Sequence, residues 1–348
     1  MKKSLLALAV LGVFAGAASA QSSVTLFGIV DVNARYVKHG NTDAVKQLGT
    51  DGINSSRLGF RGVEDLGGGL KAGFWIEGAM SPDTGAAAQT WQRRSTVSLM
   101  GGFGEVRLGR DYTPTFWNLT VFDPFGTNGV GSSLNLFVAP AALATSVFTG
   151  SGAATLVRAS NTIGYFLPSG IGGLYGQVQV AAGEGVTGNK YMGGRIGYAA
   201  GPVDVAFAYG QTQVGSDDKL KTWNLGASYN LGVAKLTGFY SNANSDFFGG
   251  VDGVDVTQTN WMLGAVVPMG QGEIHASYNK ASGKDDADGL SAKQLAVGYV
   301  YNLSKRTALY AQYSRITNEL TAFSVTAGSV AAFDDKSSGA EFGIRHSF

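Results

Sequence analysis

Apolar and polar residues alternate with a period of two along much of this chain, in segments of about ten residues. The clearest segment is 222–231, in which one face consists of Trp223, Leu225, Ala227, Tyr229 and Leu231. Similar alternation occurs in 202–209, 260–267 and 293–302. Because successive side chains of a β-strand point to opposite faces of its sheet, this period predicts strands. Helical periodicity does not extend over a comparable length anywhere in the sequence.

Tight turns and long connections alternate between these segments. Turns rich in Gly, Asn and Pro are predicted at 66–69, 101–104, 168–173, 200–202, 230–233, 268–272 and 302–305. Longer polar connections include 183–190, 213–220, 243–255, 283–290 and 317–336. Such a series predicts about 16 antiparallel strands, with short turns at one edge and long loops at the other. It is typical of an all-β transmembrane barrel with periplasmic turns and extracellular loops.

The physical reason for a closed barrel is that lipid offers no hydrogen-bond partners to an unpaired strand edge. Outward side chains then need only be apolar, whereas inward side chains face water. Aromatic residues near the strand ends, such as Trp223, Trp261 and Tyr301, fit the interfacial girdle of such a barrel. A soluble barrel would instead place its apolar side chains inside, where about 16 strands enclose a lumen too wide to fill.

The first 20 residues form a predicted signal peptide. A basic start at Met1-Lys2-Lys3 precedes an apolar stretch from Leu5 to Ala15 and an Ala18-Ser19-Ala20 cleavage signal. We expect cleavage after Ala20, which leaves residues 21–348 as a single barrel domain. The chain has no cysteine, which excludes a lipoprotein anchor, a disulfide framework and a thiolate metal site.

Composition also limits the partners and the chemistry. The 26 basic and 25 acidic residues nearly balance, so we expect no nucleic-acid partner. No cofactor or metal motif is present, and there are only 3 histidines. Glu273 and His275 have the spacing to share one face of a strand, as a catalytic base and its orienting partner would. The alternative interpretation of the chain is therefore an outer-membrane enzyme. A solvated histidine in the lumen is the simpler interpretation, since nucleophilic catalysis needs a complete oriented set of groups.

Several stretches resemble one family. They are 56–72 (SRLGFRGVEDLGGGLKA), Val24 to Gly28, Gly104 to Arg110 and Gly343 to Phe348. The chain resembles the general diffusion porins of Gram-negative outer membranes, in particular those of β-proteobacteria. The resemblance implies a homotrimer of 16-stranded barrels, each a passive channel for ions and small hydrophilic solutes, narrowed by an inward-folded third loop. It also implies contact with outer-membrane lipid and lipopolysaccharide, and with the barrel-insertion machinery, for which Phe348 would be the assembly signal.

Alternation predicts which charged side chains face the lumen. Leu58 and Phe60 are expected to point outward, which turns Arg57 and Arg61 inward. By the same argument the inward residues include Lys71 and Glu77 on the third strand, and Arg158, Ser160 and Thr162 on the sixth. The family has an arginine cluster on the barrel wall at its constriction, and Arg57 and Arg158 match two of its positions.

The third arginine of that cluster has two candidates. If Val97 and Leu99 point outward, alternation selects Arg94. Matching the family motif Arg-x-Ser-x-Val-x-Leu selects Arg93 instead. Alternation slightly favours Arg94, and both residues are kept as predicted constriction residues.

The third loop is predicted at 113–157, the longest connection in the chain. Its Asp123-Pro124-Phe125-Gly126 resembles the family's Pro-Glu-Phe-Gly loop tip, and Asp123 is its one charged residue. If the inward arginines face only two carboxylates, those of Glu77 and Asp123, the lumen carries net positive charge. Because fixed charge in a narrow pore concentrates counterions, we predict an anion-preferring channel. The alternative is that the arginines are salt-bridged wall residues without effect on selectivity. A substrate-specific channel or adhesin is the other alternative, although the inward faces carry mainly small polar residues.

Arg110 ends a predicted strand on the side expected to face the neighbouring subunits. We therefore predict that it forms an intersubunit salt bridge.

Overall fold

The computed structural model describes residues 23–86, 89–138, 146–326, 331 and 333–348. The predicted signal peptide lies outside the described residues. Among those residues, no helix is long and apolar enough to cross a membrane.

The described residues form one antiparallel sheet with 17 strand segments. In chain order, β1 to β17 are Ser23–His39, Val45–Thr50, Arg57–Gly67, Leu70–Ala79, Arg94–Gly101, Gly104–Tyr112, Arg158–Phe166, Leu174–Ala181, Tyr191–Ala200, Val203–Gln213, Lys219–Asn230, Lys235–Phe248, Val251–Met269, Gly272–Asp285, Ser291–Asn302, Thr307–Glu319 and Lys336–Ser347.

The sheet closes on itself through its first and last strands. Residues Ile29 to His39 of β1 pair with β17, so no strand edge is left open along this stretch. The first half of β1 pairs with β3 on its other side, and the second half pairs with β2. Because β2 and β3 occupy one position between them, the 17 segments form the predicted barrel of 16 strands.

All seven predicted tight turns connect neighbouring strands of the barrel. The prediction of a long polar connection at 243–255 was wrong. Strands β12 and β13 continue through most of it and are joined by a turn at Gly249 and Gly250. The polar residues remain paired across the hairpin, where Asn244 donates to Asp255 Oδ1 at 2.7 Å and to Thr257 Oγ1 at 3.0 Å. A polar sequence therefore did not mark the end of the strand.

The two faces of the barrel differ as the alternation predicts. Outward side chains such as Leu263 and Leu295 are 64% and 62% exposed. Inward neighbours such as Asn260, Gln294 and Ser314 are buried. Polar residues are thus buried on the inside and large apolar residues are exposed on the outside, which is the reverse of a soluble protein.

The described residues of the connection between β6 and β7 include three short helical segments. These are α1 (Pro114–Phe122), a 3₁₀ turn (Ser133–Leu136) and α2 (Val147–Gly150). Proline fits the first turn of α1 because the amide it lacks would have no partner within the helix. Helix α1 packs against β9, β10 and β11, the 3₁₀ turn against β14 and β15, and α2 against β12 and β13. The described part of the third loop is therefore folded against the inner wall.

Candidate functional site in the barrel lumen

Amide side chains of the inner wall hold the backbone of the third loop. Gln258 and Asn260 of β13 both donate to the carbonyl oxygen of Leu136, at 2.7 and 3.1 Å. Gln294 of β15 donates to Val130 O at 3.1 Å. Further bonds of this kind join Asn224 to Thr115 O and Asn279 to Ser133 O. Between its short helical segments the loop has backbone groups without partners of their own, and these amides satisfy several that the barrel would otherwise bury unpaired.

Helix α1 is fixed by side-chain bonds as well as by packing. Asn118 donates to Ala206 O at 3.0 Å and to Asn224 Oδ1 at 2.7 Å, and its own oxygen accepts from Arg195 Nε at 2.6 Å. Phe122 at the end of the helix lies against Gly226 of β11, where an added Cβ would approach its ring to 2.0 Å. Gly264 of β13 similarly makes room for the ring of Pro124, 2.3 Å from an added Cβ. Some glycines of these strands thus leave the space in which side chains of the loop pack against the wall.

Asp123, a predicted constriction residue, serves the loop's own turn. Its carboxylate accepts hydrogen bonds from the backbone N–H groups of Phe125 at 2.8 Å, Thr127 at 3.2 Å and Ser133 at 2.9 Å. Only 6% of the residue is exposed, and burial raises the pKa of its carboxyl group above the ordinary value. Its oxygens are therefore committed to the backbone of the turn rather than presented to the lumen.

His275 of β14 contacts the tip of the loop. Its Nδ1 lies 2.6 Å from Pro124 O, and its Nε2 lies 3.0 Å from Glu273 Oε1. The spacing of Glu273 and His275, read in the sequence as one face of a strand, thus brings the pair together beside the loop.

Glu77 of β4 lies on the opposite wall between two arginines. Its Oε1 is 3.3 Å from Arg57 Nη1 and 2.7 Å from Arg93 Nε, while Oε2 accepts from Trp75 Nε1 at 3.2 Å. Glu77 is 5% exposed. One nearly buried carboxylate therefore serves two guanidinium groups.

Tyr112 at the end of β6 joins Arg93 to Arg158. Its hydroxyl oxygen accepts from Arg93 Nη2 at 3.0 Å and from Arg158 Nη2 at 2.8 Å. Arg158 Nε also donates to Arg93 O at 2.8 Å, and its guanidinium carbon lies 4.4 Å from the centre of the Tyr112 ring. Arg57, Arg93 and Arg158, with Glu77 and Tyr112, form what we call the upper arginine tier. Sequence reasoning missed Tyr112 because an aromatic residue at a strand end suggests only the membrane interface.

The structure brings both Arg93 and Arg94 to the lumen side. Arg94 is the register partner of Glu77, so alternation places it inward. It lies 3.8 Å from Asp111 and its guanidinium carbon is 4.5 Å from the Trp75 ring. Arg93 precedes β5, where the alternation of that strand does not yet apply, and therefore can reach Glu77 too.

A lower arginine tier, which consists of Arg61, Arg94 and Arg107, lies beside aromatic rings. Arg61 is 5.1 Å from the centre of the Trp75 ring, on which Arg94 also lies. Arg107 lies 3.9 Å from the Phe166 ring and pairs with Glu105 at 2.8 Å and Asp111 at 2.6 Å. Arg107 and Trp75 were not predicted, although the inward parity of β6 and β4 contained the signal.

Lys71, another predicted constriction residue, lies beyond these tiers. Its register partners are Asp65 on β3 and Met100 on β5, close to the turns at Gly68 and Gly102. It is therefore at the periplasmic end of the wall.

The wall from β3 to β7 thus carries an excess of positive charge. Arg57, Arg61, Arg93, Arg94, Arg107 and Arg158 face three carboxylates, which belong to Glu77, Glu105 and Asp111. The loop on the opposite side contributes one charged residue between 113 and 157, the buried Asp123. Among the described residues of this wall, guanidinium groups therefore outnumber carboxylates, and the carboxylate of the loop is buried.

Arg110 lies on the outer face, where it pairs in register with Ser95. It donates to Gln92 O at 2.6 Å and to Ser160 Oγ at 2.7 Å. The prediction that Arg158, Ser160 and Thr162 share one inward face was wrong. In the register Thr162 pairs with Gly109 and Ala159 with Asp111, so Ala159, rather than Arg158 or Ser160, shares the face of Thr162. A register shift between Gly109 and Asp111, with Asn161 in a positive-φ conformation (φ 56°), interrupts the alternation there.

Phe348 pairs with the first strand. Its amide donates to Gly28 O at 3.0 Å, and its carbonyl accepts from Gly28 N at 3.1 Å. Its side chain lies on the outward face of the seam that closes the barrel.

Comparisons with known proteins agree with this architecture. The family model of Gram-negative porins matches residues 7–321. The chain belongs to the Gram-negative porin family. It is 44% identical to outer membrane porin protein 32 of Delftia acidovorans, with 100% of both chains covered. An outer membrane porin protein of Bordetella pertussis is 30% identical, again over 100% of both chains.

A solved structure is similar as well. The anion-selective porin from Comamonas acidovorans superimposes with a TM-score of 0.83 at 39% identity, over 94% of this porin and 100% of that chain. The predictions of a porin barrel, an outer-membrane location and a diffusion channel are thereby confirmed.

Proposed function

We propose that this porin passes small hydrophilic solutes through a lumen narrowed by the loop at 113–157, and that the arginine wall makes it prefer anions. The observation that carries the proposal is the upper arginine tier, in which Arg57, Arg93 and Arg158 have one carboxylate, Glu77, among them. The anion selectivity named for the similar porin from Comamonas acidovorans agrees with this proposal.

Confinement is what gives the arginine wall its effect. Fixed charge in a narrow, low-dielectric passage raises the local concentration of counterions and excludes ions of like charge. The field extends over a Debye length, about 10 Å at 0.1 M salt. Anion preference should therefore weaken as salt rises, which separates an electrostatic mechanism from one based on pore size.

The alternative, in which salt bridges neutralise the arginines, is tested by Arg158. It donates to the phenol of Tyr112 and to a backbone carbonyl, and it forms no ion pair with a described residue. We infer that the charge of Arg158, which no described carboxylate neutralises, acts on solutes, whereas Arg57 and Arg93 share Glu77.

The decisive measurement is the reversal potential of the purified porin in a planar bilayer under a KCl gradient. We expect a potential set mainly by chloride in the wild type and a smaller one in Arg158→Gln. Lys221→Gln removes the same charge from an outward-facing position on β11 and serves as the matched control. An unchanged potential in Arg158→Gln, or an equal loss in the control, would contradict the proposal.

We further propose a passive channel rather than an enzyme. His275, the candidate base of the enzyme alternative, has its Nδ1 occupied by Pro124 O at the loop tip. Its Nε2 lies 3.0 Å from Glu273 Oε1, so neither of these contacts of the imidazole is to a hydroxyl that could act as a nucleophile.

The remaining proposals concern assembly. The signal peptide is removed after Ala20, three copies associate with Arg110 at or near their interface, and Phe348 is the signal read by the barrel-insertion machinery. The assembled porin contacts outer-membrane lipid and lipopolysaccharide. The mass of the purified complex tests the trimer, and Phe348→Ala should lower the yield of folded barrel in vivo without altering single-channel conductance.

A further inference from the structure

Two lysines lie directly opposite each other on the outer face of the barrel. Lys280 of β14 and Lys293 of β15 are register partners, and they share the outward face with Tyr278 and Leu295. Like charges that face each other on one side of a sheet destabilise the strand pair. Neither lysine forms an ion pair with a described residue. The arrangement therefore calls for an anion from outside the chain.

The lysines lie at the upper end of the apolar belt. Trp261 of β13 is the other register partner of Lys280, and its ring lies 5.3 Å from that of Tyr278. At the other end of β14, Gly272 pairs with Tyr301 near the periplasmic turns. Roughly 26 Å of strand separates Gly272 from Lys280 at about 3.3 Å per residue. With a strand tilt of about 40°, this is about 20 Å of height, close to the apolar band of an outer-membrane barrel.

The surroundings of the two lysines add positive charge and hydroxyl groups. Arg315 of β16, the register partner of Leu295, is exposed on the same face. We call Lys280, Lys293 and Arg315 the basic patch. Thr317 is the register partner of Lys293. Glu319, the nearest outward carboxylate on β16, accepts from Ser291 Oγ at 2.7 Å rather than from the patch.

We infer that the basic patch binds the phosphate groups of a phosphorylated lipid in the outer leaflet. Ammonium and guanidinium groups are suited to phosphate, and the exposed Leu263 and Leu295 directly below are suited to acyl chains. A free phosphate ion would satisfy the cations but would leave this apolar surface without a partner. The inference rests on the lipid contact proposed above and is independent of the arginine wall and of ion preference.

Binding of bisphosphorylated lipid A to the purified porin in a phosphate-free detergent tests the inference. We expect the Lys280→Gln/Lys293→Gln variant to bind about 20-fold more weakly, since each basic residue near an anionic lipid surface contributes about fivefold. The matched control Lys219→Gln/Lys221→Gln removes two outward-facing lysines of β11, three strands away from the basic patch, and should bind within about twofold of wild type because these lysines would not contact a lipid held at Lys280 and Lys293. Inorganic phosphate at the same phosphate concentration should not displace the lipid. Both variants should conduct like the wild type, which shows that the barrel is folded and keeps this test separate from that of the channel.

The single variant Lys293→Gln provides a second test through the sign of its effect. Without phosphorylated lipid it removes a repulsion and should raise the melting temperature. With bisphosphorylated lipid A it removes a ligand and should lower the melting temperature relative to wild type. The inference is overturned if the sign is the same in both conditions, if the β11 control loses as much binding, or if inorganic phosphate displaces the lipid.

Discussion

The two sides of the lumen use the same strand geometry for different purposes. The wall from β3 to β7 presents arginines, and its upper tier leaves Arg158 without a carboxylate partner among the described residues. The wall from β11 to β15 presents amides such as Gln258 and Gln294, which are bonded to the loop backbone. The charge of the first wall is proposed to act on solutes, whereas the second wall uses its polarity to hold the loop. Inward-facing polarity alone therefore does not identify a residue that contacts solutes.

The largest expected effect comes from reversing charge on the arginine wall. Arg93→Glu/Arg158→Glu should convert anion preference into cation preference, because it exchanges two cations for two anions beside Glu77. We expect the chloride-to-potassium permeability ratio to fall by at least about tenfold, which corresponds to about 1.4 kcal/mol. The reversal potential under a KCl gradient measures this ratio. Lys219→Glu/Lys221→Glu makes the same change on the outer face, and a comparable shift in that variant would show that the lumen wall is not the cause.

Two alanine substitutions, one on each wall, test whether the loop packs against the second wall. In Gly226→Ala the new Cβ would lie 2.0 Å from the Phe122 ring, so α1 must move. Gly164→Ala, on the inward face of β7, meets nothing closer than Phe166 Cε2 at 3.3 Å. We expect Gly226→Ala to lose about 1–3 kcal/mol of stability through overpacking and to show altered conductance, with little change in Gly164→Ala. Equal conductance changes in the two variants would remove the distinction between the walls.

Removing one amide anchor should have a smaller effect. Gln258→Leu takes away one of the two donors to Leu136 O and the acceptor for Val147 N. A buried backbone group without a partner costs about 1–3 kcal/mol, part of which Asn260 offsets by its own bond to Leu136 O. We expect more frequent current fluctuations and faster proteolysis within 113–157, at unchanged ion preference. Gln211→Leu, on the outward face of β10, is the control, and a shift in ion preference in Gln258→Leu would contradict the assignment of β13 to loop support.

The smallest effect distinguishes the two adjacent arginines. Arg93→Gln removes a member of the upper tier, whereas Arg94 lies beside Asp111 and the Trp75 ring in the lower tier. Arg93→Gln and Arg94→Gln should both lower anion preference, and we expect the larger decrease in Arg93→Gln. The reversal potentials of the two variants, measured at 0.1 M and 1 M salt, provide the comparison, since screening should reduce both effects. A larger decrease in Arg94→Gln would locate the narrowest charged section in the lower tier.

Particular residues show how far the sequence could be interpreted. Alternation placed Arg57, Arg61 and Glu77 inward because a strand that is paired on both sides has one allowed parity. It misplaced Ser160, because a register shift cannot be seen in a pattern of polar and apolar residues. Asp123 looked like a lumen carboxylate, but its oxygens bind three backbone amides of its own turn. Tyr112 gave no signal at all, since its role depends on two arginines from other strands.

The sequence by itself determined the closed barrel, its tight turns and the sides on which most strand residues lie. These properties follow from local rules, namely the two-residue period of a strand and the need of a bilayer for paired backbone groups. The tertiary structure alone decided which inward residues meet across the lumen. The contact of Glu77 with Arg57 and Arg93, and the support of Leu136 by Gln258 and Asn260, join residues that are close only after the barrel closes and the loop folds in. Side chains far apart in the chain carry no periodic signal of such contacts, so only their positions in space reveal them.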